Sequence, residues 1–176
     1  MNYAKIKPHD ISNGTGIRVS LFVSGCNHGC KGCFNSEAWD FNYGNTYTDL
    51  QTKQILEALK PDYIKGFSLL GGEPFEPKNQ IGVLGVLKKV KEEYPDKSVW
   101  CYTGFDYETE LLTGKAGNVE QVREILGYID ILVDGRFVEA LKNLKIKFRG
   151  SENQRIIDVK KSLSQSKVVL WDGSYI

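Results

Sequence analysis

Histidine and methionine are nearly missing from this chain, which holds two His and one Met among 176 residues. So few imidazoles leave little scope for chemistry built on a histidine dyad. An excess of either charge is missing too: 23 basic residues face 22 acidic ones, a net charge of +1. That balance gives no electrostatic case for nucleic acid or an anionic membrane surface as a partner. No apolar run approaches the roughly 20 residues of a membrane-spanning helix. The opening "MNYAKIKPHD" has no apolar core of a secretory signal, so a cytoplasmic protein is expected. Without secretion, four cysteines are poor material for a disulfide framework, and metal ligation or catalysis becomes their leading use. What is present suits an ordinary globular protein: 41% apolar, 26% charged and 11% aromatic residues. A length of 176 residues predicts a single domain, residues 1–176.

Short apolar runs rich in β-branched residues alternate with helical periodicity. "IRVSLFVSG" (17–25), "GFSLLGGEP" (66–74), "SVWCYTG" (98–104) and "IDILVDG" (129–135) read as buried strands. Between them, 48–62 predicts a helix capped by Thr48 and stopped at Pro61, with Leu50, Ile55, Leu56 and Leu59 on one side. A second helix runs from Asn79 to Tyr94, with Ile81, Leu84, Leu87 and Val90 at helical spacing, and a third covers 119–127. This rhythm implies βαβ units and a mainly parallel sheet. Ligands of such sheets sit beyond the carboxyl ends of the strands, so "GCNHGCKGC", "GGEP", "YTGF" and "VDGRF" should converge on one side. The last stretch, from Lys145, reads as two or three short strands around turns.

Three of the four cysteines, Cys26, Cys30 and Cys33, fall within eight positions at C-x3-C-x2-C spacing. A structural zinc site would need a fourth ligand from Cys101, His28 or His9. His28 lies between two of the cysteines, where closing a tetrahedron with both would be strained, and is read as an exposed loop histidine. Cys101, mid-strand between Trp100 and Tyr102, reads as a small buried hydrophobe. An iron–sulfur cubane held by three thiolates would keep one iron open to a substrate. A cluster, a zinc site and a mere Gly-rich turn all remain open on spacing alone.

C-x3-C-x2-C after a first strand, joined to "GGEP" after a later one, resembles the radical S-adenosylmethionine (SAM) enzymes. With "CYTGFDYE", "IDILVDGRFVEAL" and "KFRGSENQRIIDV", the chain is similar to the activases of glycyl radical enzymes, in particular those of anaerobic ribonucleotide reductase. These stretches span residues 10–159. The resemblance implies a [4Fe–4S] cluster on Cys26, Cys30 and Cys33, whose open iron is chelated by SAM. It implies reductive cleavage of SAM to methionine and a 5′-deoxyadenosyl radical, which takes hydrogen from a glycine of the reductase. The implied partners are the catalytic subunit of the reductase and a one-electron donor protein. The family fold it implies is an incomplete (βα) barrel of about six mainly parallel strands, since a full barrel needs about 250 residues.

Beside the resemblance, the residues themselves offer candidate cofactor contacts. Gly32 leaves room beside Cys33, Phe34 packs over cluster or adenine, and Asn35 offers a polar contact or forms an Asx turn. In "GGEP", Gly71 and Gly72 allow close backbone approach, Glu73 is an anionic acceptor for an ammonium group, and Pro74 fixes the turn. Thr103 and Asp134, ending neighbouring strands, meet near a sugar or a cation, although Asp-Gly is also an ordinary turn pair. "RGSENQR" (149–155) reads as an anion clamp or a hydrogen-bonded turn, and Arg149, Arg155 and Trp171 as anchors for a protein partner. Two rival readings stand beside this one: a radical SAM enzyme for another glycyl radical enzyme or a small molecule, and a zinc-binding interaction module.

Overall fold

The computed structural model describes residues 1–174, in which seven strands form one sheet. The strands are β1 (Asn2–Asp10), β2 (Ile17–Val23), β3 (Asn45–Thr46), β4 (Ile64–Gly71), β5 (Ser98–Tyr102), β6 (Ile131–Asp134) and β7 (Arg155–Asp158). Their order across the sheet is β3-β1-β2-β4-β5-β6-β7. The centre, β2-β4-β5-β6, is parallel as the βαβ rhythm requires. The pairings of β1 with β2, β1 with β3 and β6 with β7 are antiparallel.

The expected incomplete (βα) barrel is therefore wrong. The sheet is open and mixed, with seven strands rather than about six. The βα rhythm fails at both ends for a physical reason. Residues 11–16 are the whole link from β1 to β2, and a parallel crossover needs about a dozen residues. At the other end, the long link from β6 to β7 carries only a short 3₁₀ turn, Glu139–Leu141, and no helix that could cross over.

Four helices, α1 (Asp49–Leu59), α2 (Pro77–Glu93), α3 (Val119–Gly127) and α4 (Val159–Gln165), cover one face. Alternate strand residues such as Leu21, Leu69, Cys101 and Leu132 meet Ile55, Leu87 and Ile125 in the main core. Thr48 caps α1 with a reciprocal capping box to Gln51. Leu50 and Ile81, expected on apolar faces, are exposed at 70% and 78%. Val83 and Val86 are buried instead, because the inward stripe of α2 is shifted.

The opposite face carries Trp100, Ile131 and Val133, covered by Phe148, Ile156 and Trp171. Arg18 is fully buried there and donates to Ser68 Oγ, Ser98 Oγ and the carbonyls of Thr15, Phe67 and Ser98. It ties the starts of β2, β4 and β5 together, which leaves their carboxyl ends to build the site.

Candidate metal centre

Cys26, Cys30 and Cys33 lie in the loop that continues β2, and all three are half-buried. The loop enters between two backbone bonds, Gly25 N to Ala38 O at 2.8 Å and Cys26 N to Trp39 O at 3.1 Å. Gly29 and Gly32 take φ of 61° and 73°, left-handed turns that side chains resist. Cys33 N donates to Cys30 O at 3.1 Å and closes the second half of the loop. All three thiols line one cavity of about 480 Å³, well within the range of small-molecule sites.

Burial pushes the Cys26 thiol up to about 12, with the charges of Glu73 and Glu76 adding to it, and burial also raises that of Cys30. A cation beside Cys26 and Cys30 would favour their thiolate forms. The donor set fits a cluster better than a single ion. Zinc–sulfur bonds of about 2.3 Å keep thiolates on one ion within ~4.6 Å of one another. Among the described residues, the three-donor set that closes to within 4.8 Å is the acidic trio Asp106, Glu108 and Asp134, not the cysteines. Cys101 is fully buried in the main core and is absent from the cavity lining, so it offers no fourth ligand.

The turn after β4 clamps the cysteine loop. Glu73, fully buried, accepts from Phe75 N at 2.9 Å, Thr103 Oγ1 at 2.8 Å and Gly104 N at 2.7 Å. Its Oε2 also pairs with His28 Nε2 at 2.9 Å. Glu76 accepts from Asn27 N and Asn27 Nδ2 at 2.8 and 3.0 Å. Asn79 Nδ2 bridges Ser24 O at 2.9 Å and Glu73 O at 3.0 Å. His28 is thus no exposed loop residue: its side chain is 6% exposed and its ring packs edge-on against Phe105.

The glycine pair serves that clamp. A Cβ on Gly72 would stand 2.6 Å from Gly25 O, and one on Gly71 2.6 Å from Val23 N. Gly72 N donates to Val23 O at 2.7 Å and Glu73 N to Gly25 O at 2.8 Å, so the two strand ends run in backbone contact. Both glycines, with Cys33, Phe34, Asn35, Glu73 and Thr103, line the cavity. Gly32, Pro74 and Asp134 do not.

Residues 12–157 match the family described as a 4Fe-4S single cluster domain. The chain is 42% identical over 158 residues to the anaerobic ribonucleoside-triphosphate reductase-activating protein of Haemophilus influenzae, covering 89% of this chain and 97% of the relative. It is 43% identical to that of Pasteurella multocida, over 89% and 96% of the two chains. For that of Enterobacteria phage T4 the identity is 37%, over 89% and 93%. The chain belongs to the anaerobic ribonucleoside-triphosphate reductase-activating protein family. Among the described residues, no helix is long and apolar enough to cross a membrane.

In this family member, "RGSENQR" is a hydrogen-bonded turn. Gln154 Oε1 accepts from Gly150 N and Ser151 N at 2.8 and 3.2 Å, and its Nε2 donates to Gly135 O at 2.9 Å. Arg149 Nη1 donates to Gln154 O at 2.9 Å. The Arg155 guanidinium sits in the acidic trio, donating to Asp134, to Glu108 at 2.6 Å and to Asp106 at 3.1 Å. Its hydrogen bond to Asp134 holds it firmly protonated. Asp134 also accepts from Tyr107 N at 2.9 Å, so it organises the turn after β5 rather than facing the cavity. Trp171 packs edge-on against Trp100 at 5.2 Å. Arg155 and Trp171 are both engaged by neighbours within the fold, and both are part-exposed.

Sequence reasoning missed Asn27, Glu76 and Asn79, and misjudged His28. Only the proximity of "EPKN" to "GGEP" could have hinted at them, since their partners lie some 50 residues away in the chain.

Proposed function

We propose that this chain activates an anaerobic ribonucleotide reductase, holding a [4Fe–4S] cluster on Cys26, Cys30 and Cys33 with SAM beside it. When bound, cluster and SAM supply one-electron reductive cleavage of a C–S bond and a carbon radical that takes hydrogen from a glycine Cα of the reductase. The observation that carries this reading is the three-cysteine loop facing a cavity that Gly71, Gly72 and Thr103 also line, with Cys101 buried elsewhere.

The chain's own residues bind, orient and exclude water. The three thiols supply the anchoring ligands, and the clamp from Glu73, Glu76 and Asn79 holds their loop in one shape. Both oxygens of Glu73 are occupied by protein donors, so its part is to position the loop. Polar contacts to SAM then fall to Asn35 and to the backbone of Gly71 and Gly72, while Gly32 serves the left-handed turn before Cys33. Phe34, a cavity residue 64% exposed, forms an apolar wall at the mouth. Pro74 and Asp134 act through the turns that they stabilise. Electrons come from a separate one-electron donor.

The test is anaerobic reconstitution with iron and sulfide, followed by SAM and dithionite. Methionine and 5′-deoxyadenosine should appear in equal amounts, and added reductase should acquire a glycyl radical doublet by EPR. Product formation that persists after all three loop cysteines are replaced would overturn the reading.

A further inference from the structure

The link from β6 to β7 supplies part of the cavity wall. Ile146 and Phe148 face inward and line the cavity. Around them Val138, Leu141 and Leu144 are exposed at 37%, 40% and 81%, beside Phe34 at 64%. Several apolar side chains this exposed on one short link mark an interaction surface more often than a plain solvent face.

The link is fastened to the cysteine loop on several sides. Phe137 lies 5.5 Å from Phe34, ring to ring, and Lys142 Nζ stands 4.9 Å over the Phe34 ring. Glu139 pairs with Lys31 at 3.3 Å, and a Cβ on Gly32 would stand 2.9 Å from Glu139 Oε1. The charge here leans basic, unlike that of the whole chain. From Val138 to Lys147 there are three lysines and one acidic residue, Glu139, which is paired with Lys31. Lys142, Lys145 and Lys147 take part in no ion pair among the described residues.

We infer that Val138–Lys147, together with Phe34, is the docking face for the reductase, which meets it with an apolar patch edged by acidic side chains. The inference rests on the proposed function. A glycine that gives up its hydrogen must enter the cavity, so the protein carrying it must sit around the mouth, and this link forms part of the cavity wall. The exposed leucines supply contact area, and the unpaired lysines supply orientation and register. A one-electron carrier fits less well. Such encounters lie at the small end of interface sizes and need only the edge of the cluster, not the inner wall formed by Ile146 and Phe148.

Two variants test this in the full-length reconstituted protein: Leu144→Glu, and the double variant Lys145→Glu with Lys147→Glu. Affinity for the reductase is measured by fluorescence anisotropy, alongside iron content and dithionite-driven SAM cleavage without reductase. Each variant should weaken reductase binding about tenfold or more, with iron and uncoupled cleavage within about twofold of wild type. Wild-type affinity should fall with salt, and that of the double variant should be much flatter. Unchanged affinity would overturn the inference. So would unchanged affinity with loss of carrier-driven reduction alone, which would assign the face to the electron donor. Loss of uncoupled cleavage in step with binding would also overturn it, by making the link part of the cofactor site. If wild-type protein binds reductase but cleaves no SAM, the proposed function fails while a loss of binding in the variants still supports the face.

Discussion

His28 Nε2 lies 2.9 Å from Oε2 of Glu73, and with the bonds from Asn27 to Glu76 it ties the cysteine loop to the turn that ends β4. The same carboxylate holds Gly104 N and Thr103 Oγ1 at the end of β5. Three strand ends therefore share one buried carboxylate, and it helps to position the cysteine loop.

Removing that anion should be far worse than removing its partner. Glu73→Ala would strand Gly104 N, Phe75 N and His28 without an acceptor, at about 1–3 kcal/mol for each buried group left unpaired. His28→Ala leaves the other three bonds intact. Urea unfolding of the apo-proteins should show a loss of about 3 kcal/mol or more for Glu73→Ala and clearly less for His28→Ala. Iron retention after reconstitution should follow the same order. Equal losses would show that the carboxylate does not act as the shared hub.

Gly72 is a site where cluster and cofactor effects should not separate. A valine there would drive its Cβ against Gly25 O, one residue from Cys26. Gly72→Val should therefore reduce iron content as well as any response to SAM. Gly85, inside α2, is the control: a Cβ there meets nothing within 4 Å. Gly85→Ala should be neutral or stabilise by about 0.5–1 kcal/mol, with full iron. A Gly72→Val protein with wild-type iron and no SAM response would place the glycine's role in ligand approach alone.

Arg155 belongs to the fold. Its loss would leave the Asp134 carboxylate, whose side chain is 1% exposed, without its cation. Because breaking one side of a buried pair is strongly destabilising, Arg155→Ala should cost about 3 kcal/mol in thermal or urea unfolding. Reductase activation and uncoupled SAM cleavage should then decline together. Arg155→Lys should recover part of the stability, limited by the lost fork that spans Asp134 and Glu108. A stable Arg155→Ala protein impaired only in activating the reductase would return this arginine to the docking surface.

The parts of the fold legible in the sequence were those governed by local pattern. The parallel strands β2, β4, β5 and β6 are buried on both faces and read as continuous apolar runs. By contrast, β1 carries Lys5, Lys7, Pro8 and His9, and it becomes a strand only because β2 turns back onto it. The segment "VKKSLSQ" looked like strand or turn because it is mostly polar. It becomes α4 through the Asp158 cap on Lys161 N and the Ser162 bond to Asp158 O. The barrel expectation counted alternating elements but had no means to see that the two ends reverse direction. Spacing made the three cysteines legible, whereas the clamp of Glu76 and Asn79 depends on contacts between distant segments that no periodicity encodes.

The central claim, a three-thiolate cluster with an iron open to SAM, is tested most directly by EPR of the dithionite-reduced protein before and after adding SAM. Wild type and Cys101→Ala should both show a reduced [4Fe–4S] signal that changes on SAM addition, while Cys26→Ala, Cys30→Ala and Cys33→Ala should each lose it. A Cys101→Ala protein that loses the signal as the loop variants do would make the cysteine buried in β5 a fourth ligand and contradict the account.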